Sequence, residues 1–134
     1  MRSFIRNIPK AELHIHIEGT LEPELMLKIA KRNGVSLRFS AVDDVRKAYT
    51  FSNLPSFLSV YYEATSILLR EQDFYDVTRA YLEKAHAQNV RHTEMFFDPQ
   101  SHTERGVPFE TVISGIHRAQ ADARQKLGIT SKLI

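Results

Sequence analysis

Residues Glu12 to Gly19 read E-L-H-I-H-I-E-G, and their alternation puts Glu12, His14, His16 and Glu18 on one side of an extended chain, with Leu13, Ile15 and Ile17 on the other. Two His one residue apart on a strand point the same way, about 6–7 Å apart along the chain. Neutral imidazole is a common ligand for divalent metals. His14 and His16 are therefore a candidate metal-gripping pair. Taken in isolation, an H-x-H on a polar strand face is more often a solvated, half-buried strand than a metal site.

The rest of the composition narrows what such a face serves. The chain has 134 residues, 43% apolar and 25% charged, which is the profile of one globular domain or part of one. Its net charge is only +2, and its basic residues are scattered among acidic ones with no Lys/Arg block, so nucleic acid is not an expected partner. There is no Cys, which removes disulfides and every thiolate metal site. Five scattered Gly form no phosphate-cradling loop. No apolar run approaches a membrane span, and Met1 to Lys10 lacks the apolar core of a secretory signal, so a cytoplasmic location is expected.

The elements that must position the His pair follow from periodicity and punctuation. A first strand is expected over Ala11 to Ile17. Pro23 suits the first turn of a helix whose Leu25, Met26, Ile29 and Ala30 share one face before Gly34 ends it. A short helix around Val42 to Ala48 is followed by one capped by Asn53, with Leu54, Phe57, Leu58, Tyr61, Thr65 and Leu68 as its apolar stripe. Asp73 is expected to cap the next, which buries Phe74, Val77, Tyr81 and Ala85. Asn89 suits a left-handed stop, Val90 to Phe97 reads as a second strand, and Asp98-Pro99 ends it. After a polar loop, Pro108 opens a helix with Val112, Ile113, Ile116, Ala119, Ala123 and Leu127 inward, and Gly128 closes it. Ile129 to Ile134 reads as a third strand.

Strands alternating with helices predict parallel β/α units, whose ligand sites gather at the carboxyl ends of the strands. His14, His16 and Glu18 lie at such an end, as do Asp98 and the segment Gln100 to Gly106. Three strands do not close a barrel, which needs eight and about 250 residues. The expectation is the amino-terminal part, residues 1–134, of a single larger α/β domain, a partial (β/α)8 barrel. Standing alone it would leave an unpaired sheet edge and unpartnered helix faces.

Three segments carry a resemblance. Pro9 to Pro23 (P-K-A-E-L-H-I-H-I-E-G-T-L-E-P), Asn53 to Leu58 (N-L-P-S-F-L) and Phe96 to Gly106 (F-F-D-P-Q-S-H-T-E-R-G) resemble, in order and spacing, the first strand, the helical lid and the second strand and loop of the adenosine/adenine deaminase family, zinc enzymes on a (β/α)8 barrel, and specifically its adenine deaminase branch. The resemblance implies hydrolytic loss of ammonia from a 6-aminopurine, with one zinc per complete subunit. Zinc lowers the pKa of its water toward 7 and so supplies a nucleophile at neutral pH. A catalytic zinc takes at least three protein ligands, and this chain offers His14 and His16. In the family the other ligands and the proton-transferring groups come from later strands, so no catalytic residue is assigned within these 134. His86, His92, His102 and His117 are not promoted to that role.

The resemblance also implies a substrate. Adenosine deaminases usually carry Asp at the position of Glu18, where it meets the ribose, and the longer Glu occupies space a sugar needs, so free adenine, converted to hypoxanthine in purine salvage, is the expected substrate. Related deaminases of modified purine nucleosides also carry Glu there, which keeps adenosine or another nucleoside as an alternative. Phe57, Leu58 and Tyr61 are implied to wall the purine pocket. Gly19 is either a turn residue with unusual backbone angles or a place where a purine approaches the main chain. Glu94 and Asp98 suit structural hydrogen bonding at a strand end, and His102, Glu104 and Arg105 a loop-stabilising ion pair. The 134 residues alone are expected to be inactive; a homo-oligomer is compatible with the sequence. A different class of reading, a small non-catalytic metal-binding or interaction module, requires a closed core of its own.

Overall fold

The computed structural model describes residues 1–134. Helix α1 (Arg2–Asn7) leads into β1 (Lys10–His16), a 3-10 turn (Ile17–Thr20), α2 (Pro23–Asn33), α3 (Val42–Ala48), α4 (Leu54–Ser66), α5 (Glu71–Ala87), β2 (Val90–Phe96), α6 (Pro99–Thr103), α7 (Phe109–Leu127) and β3 (Thr130–Leu133). The strands form one sheet in the order β1-β2-β3, parallel throughout, with β1 and β3 at its edges. This is the expected α/β arrangement of consecutive strands of a barrel, and it puts the ends of β1 and β2 side by side.

Local chemistry explains most boundaries. Pro23 stands at the start of α2, and Gly34 ends it at φ 66°, in the left-handed region where a side chain is disfavoured. Asn53 accepts from the Ser56 N–H at 2.9 Å and caps α4. Asn89 takes φ 60° between α5 and β2, and Gly128 takes φ 68° between α7 and β3. The core lies between the sheet and the helices α5 and α7, built from Phe74, Val77, Leu82, Met95, Val112, Ile116 and their neighbours. Gly115 lets α7 approach α5 closely, since a Cβ there would run into the Glu71 carbonyl oxygen.

Four expectations are corrected. The first strand stops at His16 and not Ile17, because Ile17 to Thr20 wind into the 3-10 turn. Asp73 is not the cap residue of α5 but lies in its first turn, where its carboxylate accepts the N–H groups of Leu69 at 2.9 Å and Arg70 at 2.8 Å. The polar loop after Asp98 contains a helix, α6, because Asp98-Pro99 starts one as readily as it ends a strand. The stripe assigned to α4 is only half right. Thr65 and Leu68 are buried, but Leu54 and Phe57 are exposed and the inward line is Val60 and Ala64. Helix α4 packs on the 3-10 turn and α6, so only its last turns meet the core.

Candidate active site

The site is built where β1 leaves the sheet. His14 has φ 63°, and the pairing of β1 with β2 slips between Glu12 and Ile15. An extra residue of this kind breaks alternation. Glu12 therefore turns toward the helix layer, where it accepts a hydrogen bond from Tyr81 Oη at 2.9 Å, and does not share the face of the His pair. Burial raises the Tyr81 hydroxyl pKa, and the Glu12 carboxylate adds to the shift.

His14 and His16 do converge. Their ring centroids lie 5.5 Å apart with a 38° tilt, and both imidazoles are exposed. Beneath them is Phe96, the last residue of β2, whose ring is 4.5 Å from that of His14 and 5.7 Å from that of His16, both stacked. A non-glycine residue held at positive φ is uncommon and marks a place where the surroundings enforce the geometry. The two rings suit a divalent transition metal as a donor pair; no third His, Cys, Asp or Glu of this chain joins them in a metal-sized cluster.

Glu18 behaves differently. The 3-10 turn carries its side chain inward, where it is fully buried together with that of His102. Its Oε1 accepts from the Asp98 N–H at 2.8 Å and contacts His102 Nε2 at 2.9 Å, while Tyr61 Oη approaches Oε2 at 3.4 Å. Burial pushes the Tyr61 hydroxyl pKa well up, and the anionic Glu18 pushes it further. Arg105 closes the set with an N–H···Nδ1 contact of 3.0 Å to His102. Its remaining donors serve the carbonyls of Ser101, Thr65, Ser66 and Leu68, which ties α6 to the end of α4.

Of the other residues expected at the pocket, Phe57, Leu58 and Tyr61 lie on α4. The rings of Phe51, Phe57, Tyr61 and Tyr62 follow one another at centroid spacings of 5.1, 5.8 and 5.5 Å. Leu58 is half-buried beside them. Gly19 has no positive φ, so the need for unusual backbone angles is not what places it; a Cβ there would sit 3.8 Å from the Tyr61 ring, an ordinary contact. Glu94 lies 3.8 Å from His92 and takes no part in the Glu18 set, and Asp98 accepts from the Ser101 hydroxyl.

Sequence reasoning passed over Phe96, and saw His102 and Arg105 only as a loop ion pair. The signal for the latter was present, since residues three apart after an Asp-Pro helix start share a helical face. Their buried partner, 84 positions before His102, carried no local signal.

The sequence model of the adenosine deaminase family matches residues 9–134. A protein from Chlorobium phaeobacteroides (strain BS1) named adenine deaminase is 62% identical over 134 residues, covering 100% of this chain and 40% of that one. The crystal structure of adenine deaminase from Arthrobacter aurescens superposes with a TM-score of 0.89 at 49% identity, over 93% of this chain and 38% of that one. An amidohydrolase from Burkhoderia ambifaria with bound Zn matches with a TM-score of 0.85 at 29% identity, over 99% and 36%. The chain thus spans about 40% of the length of the curated relatives it matches.

Proposed function

This chain belongs to the adenosine deaminase family, and on that premise we propose that the protein containing it hydrolyses adenine to hypoxanthine and ammonia with one zinc ion per subunit. The observation that carries the reading is the pairing of two convergent, exposed imidazoles at the end of β1 with a buried Glu18 two residues further on. The relatives named adenine deaminase support the substrate, and the neighbour with bound Zn supports the metal.

His14 and His16 would hold the zinc, with further donors from elsewhere in the protein. When bound, it supplies activation of water at neutral pH, which attack on the purine carbon bearing the amino group requires. The chain's own residues shape what reaches that centre. Phe96 holds both imidazoles from below. Phe57, Leu58 and Tyr61 present an apolar and aromatic wall that fits a flat purine and keeps bulk water from the reacting face. Glu18 fills the space that a ribose on the purine would need. By themselves the 134 residues supply two metal donors and are proposed to be inactive, because affinity and open-site geometry need at least a third.

The test is metal removal and return on the full-length protein, read as ammonia released from adenine. Chelation should abolish turnover, and about one equivalent of zinc, the single-metal stoichiometry of such sites, should restore it. Turnover that survives complete metal removal, or no turnover of adenine with zinc bound, contradicts the proposal.

A further inference from the structure

We infer that His102 and Arg105 are positioning residues for substrate specificity, which hold the buried Glu18 carboxylate behind the purine site and keep the space it fills from opening for a sugar. The inference rests on the proposed adenine deaminase activity and deepens it.

The proton positions follow from donor chemistry alone. Arg has five N–H donors and no acceptor, so the Nδ1 of His102, 3.0 Å from the guanidinium, must carry a lone pair. The imidazole is therefore neutral with its proton on Nε2, and that N–H donates to Glu18 Oε1 at 2.9 Å. The Asp98 N–H is a second fixed donor on the same oxygen. A fully buried carboxylate is costly without such partners. Here an anion and a cation are joined through one neutral ring, leaving no isolated charge.

The relay also sets geometry. Arg105 donates to the carbonyls of Thr65 and Ser66, which close α4, and to Ser101 in α6. Helix α4 carries Tyr61, whose hydroxyl leans on Glu18 Oε2. Three segments distant in sequence, the turn after β1, the end of α4 and α6, thus meet on one carboxylate. Without His102 that carboxylate keeps only the long contact from Tyr61 as a side-chain donor, and its side-chain link to α6 is gone, so Glu18 gains the freedom to leave the space it fills.

The experiment compares kcat/KM for adenine and adenosine in the full-length zinc-loaded protein. His102→Ala should lower the adenine value by about 10- to 100-fold, the size of one hydrogen bond to a charged group, chiefly through KM, while raising the adenosine-to-adenine ratio by at least about tenfold. His102→Gln can still donate to Glu18 and accept from Arg105, and should return the ratio to within about threefold of the parent. Equal losses on both substrates with an unchanged ratio, or no rescue by Gln, overturn the inference while leaving the adenine reading intact. A parent that turns over adenosine as well as adenine overturns both. Should the Ala variant not fold, the 15N resonances of His102 in the parent decide: protonation at Nε2 alone supports the relay, and protonation at Nδ1 or at both nitrogens overturns it.

Discussion

The imidazole of His14 stacks on the ring of Phe96 with centroids 4.5 Å apart and planes 27° apart, across a strand pair in which His16 is the register partner of Phe96. One aromatic side chain thereby supports both members of the donor pair, and the left-handed backbone at His14 turns its ring onto that support. Phe96→Ala should weaken zinc binding by about 10- to 100-fold, the usual cost of removing a group that orients metal ligands. Competition with a chelator of known affinity measures this. Unchanged affinity would mean that the β1 backbone alone orients the rings.

His14→Ala and His16→Ala should each cost more than the loss of that support. Activity on adenine should fall by well over about a hundredfold, with zinc content dropping in parallel. Metal analysis and turnover on the same samples test the pair, and full zinc occupancy in either variant would remove that residue from the coordination shell.

Much of this was legible in sequence because it is local. Asn53, Gly34, Asn89 and Gly128 each occupy backbone positions whose chemistry is written in the residue itself. The His pair was legible too, as was the parallel sheet. The bulge at His14 was not, since alternation in the sequence is unbroken and the slip arises from pairing with β2. The outward turn of Leu54 and Phe57 was also hidden, because periodicity reports a stripe but not which side of the helix meets the core. The buried Glu18–His102 contact depends on where the chain brings α6.

Gly115 marks the closest approach of α5 and α7. A methyl group there would meet the Glu71 carbonyl oxygen and come within 2.8 Å of Phe74 Cβ, both on the buried helix. Gly115→Ala should destabilise the full-length protein by about 1–3 kcal/mol through overpacking, outweighing the gain in helix propensity. Urea denaturation checks it, and a more stable variant would show that the helices separate freely.

Asp73 predicts an acid limit. Burial alone would raise its carboxyl pKa, but the Leu69 and Arg70 N–H groups, with Asn33 and Arg32, outweigh burial and hold it below the ordinary value. A carboxylate depressed in the folded state contributes stability above its unfolded pKa and loses it as pH falls through the folded one. That contribution should be present at neutral pH and fade below about pH 4. Asp73→Asn should cost about 2–4 kcal/mol at pH 7 and flatten the pH dependence of unfolding in that window. An equally steep acid limb in the variant would assign it to other groups.

The most direct measurement is the ratio of kcat/KM for adenine and adenosine in the full-length zinc-loaded protein. With Glu18 buried two residues after His16, adenine should be preferred by at least about a hundredfold, a difference of about 2.7 kcal/mol or more in transition-state binding. Comparable turnover of the two, or a preference for adenosine, would show that a sugar fits where Glu18 stands and would contradict the account.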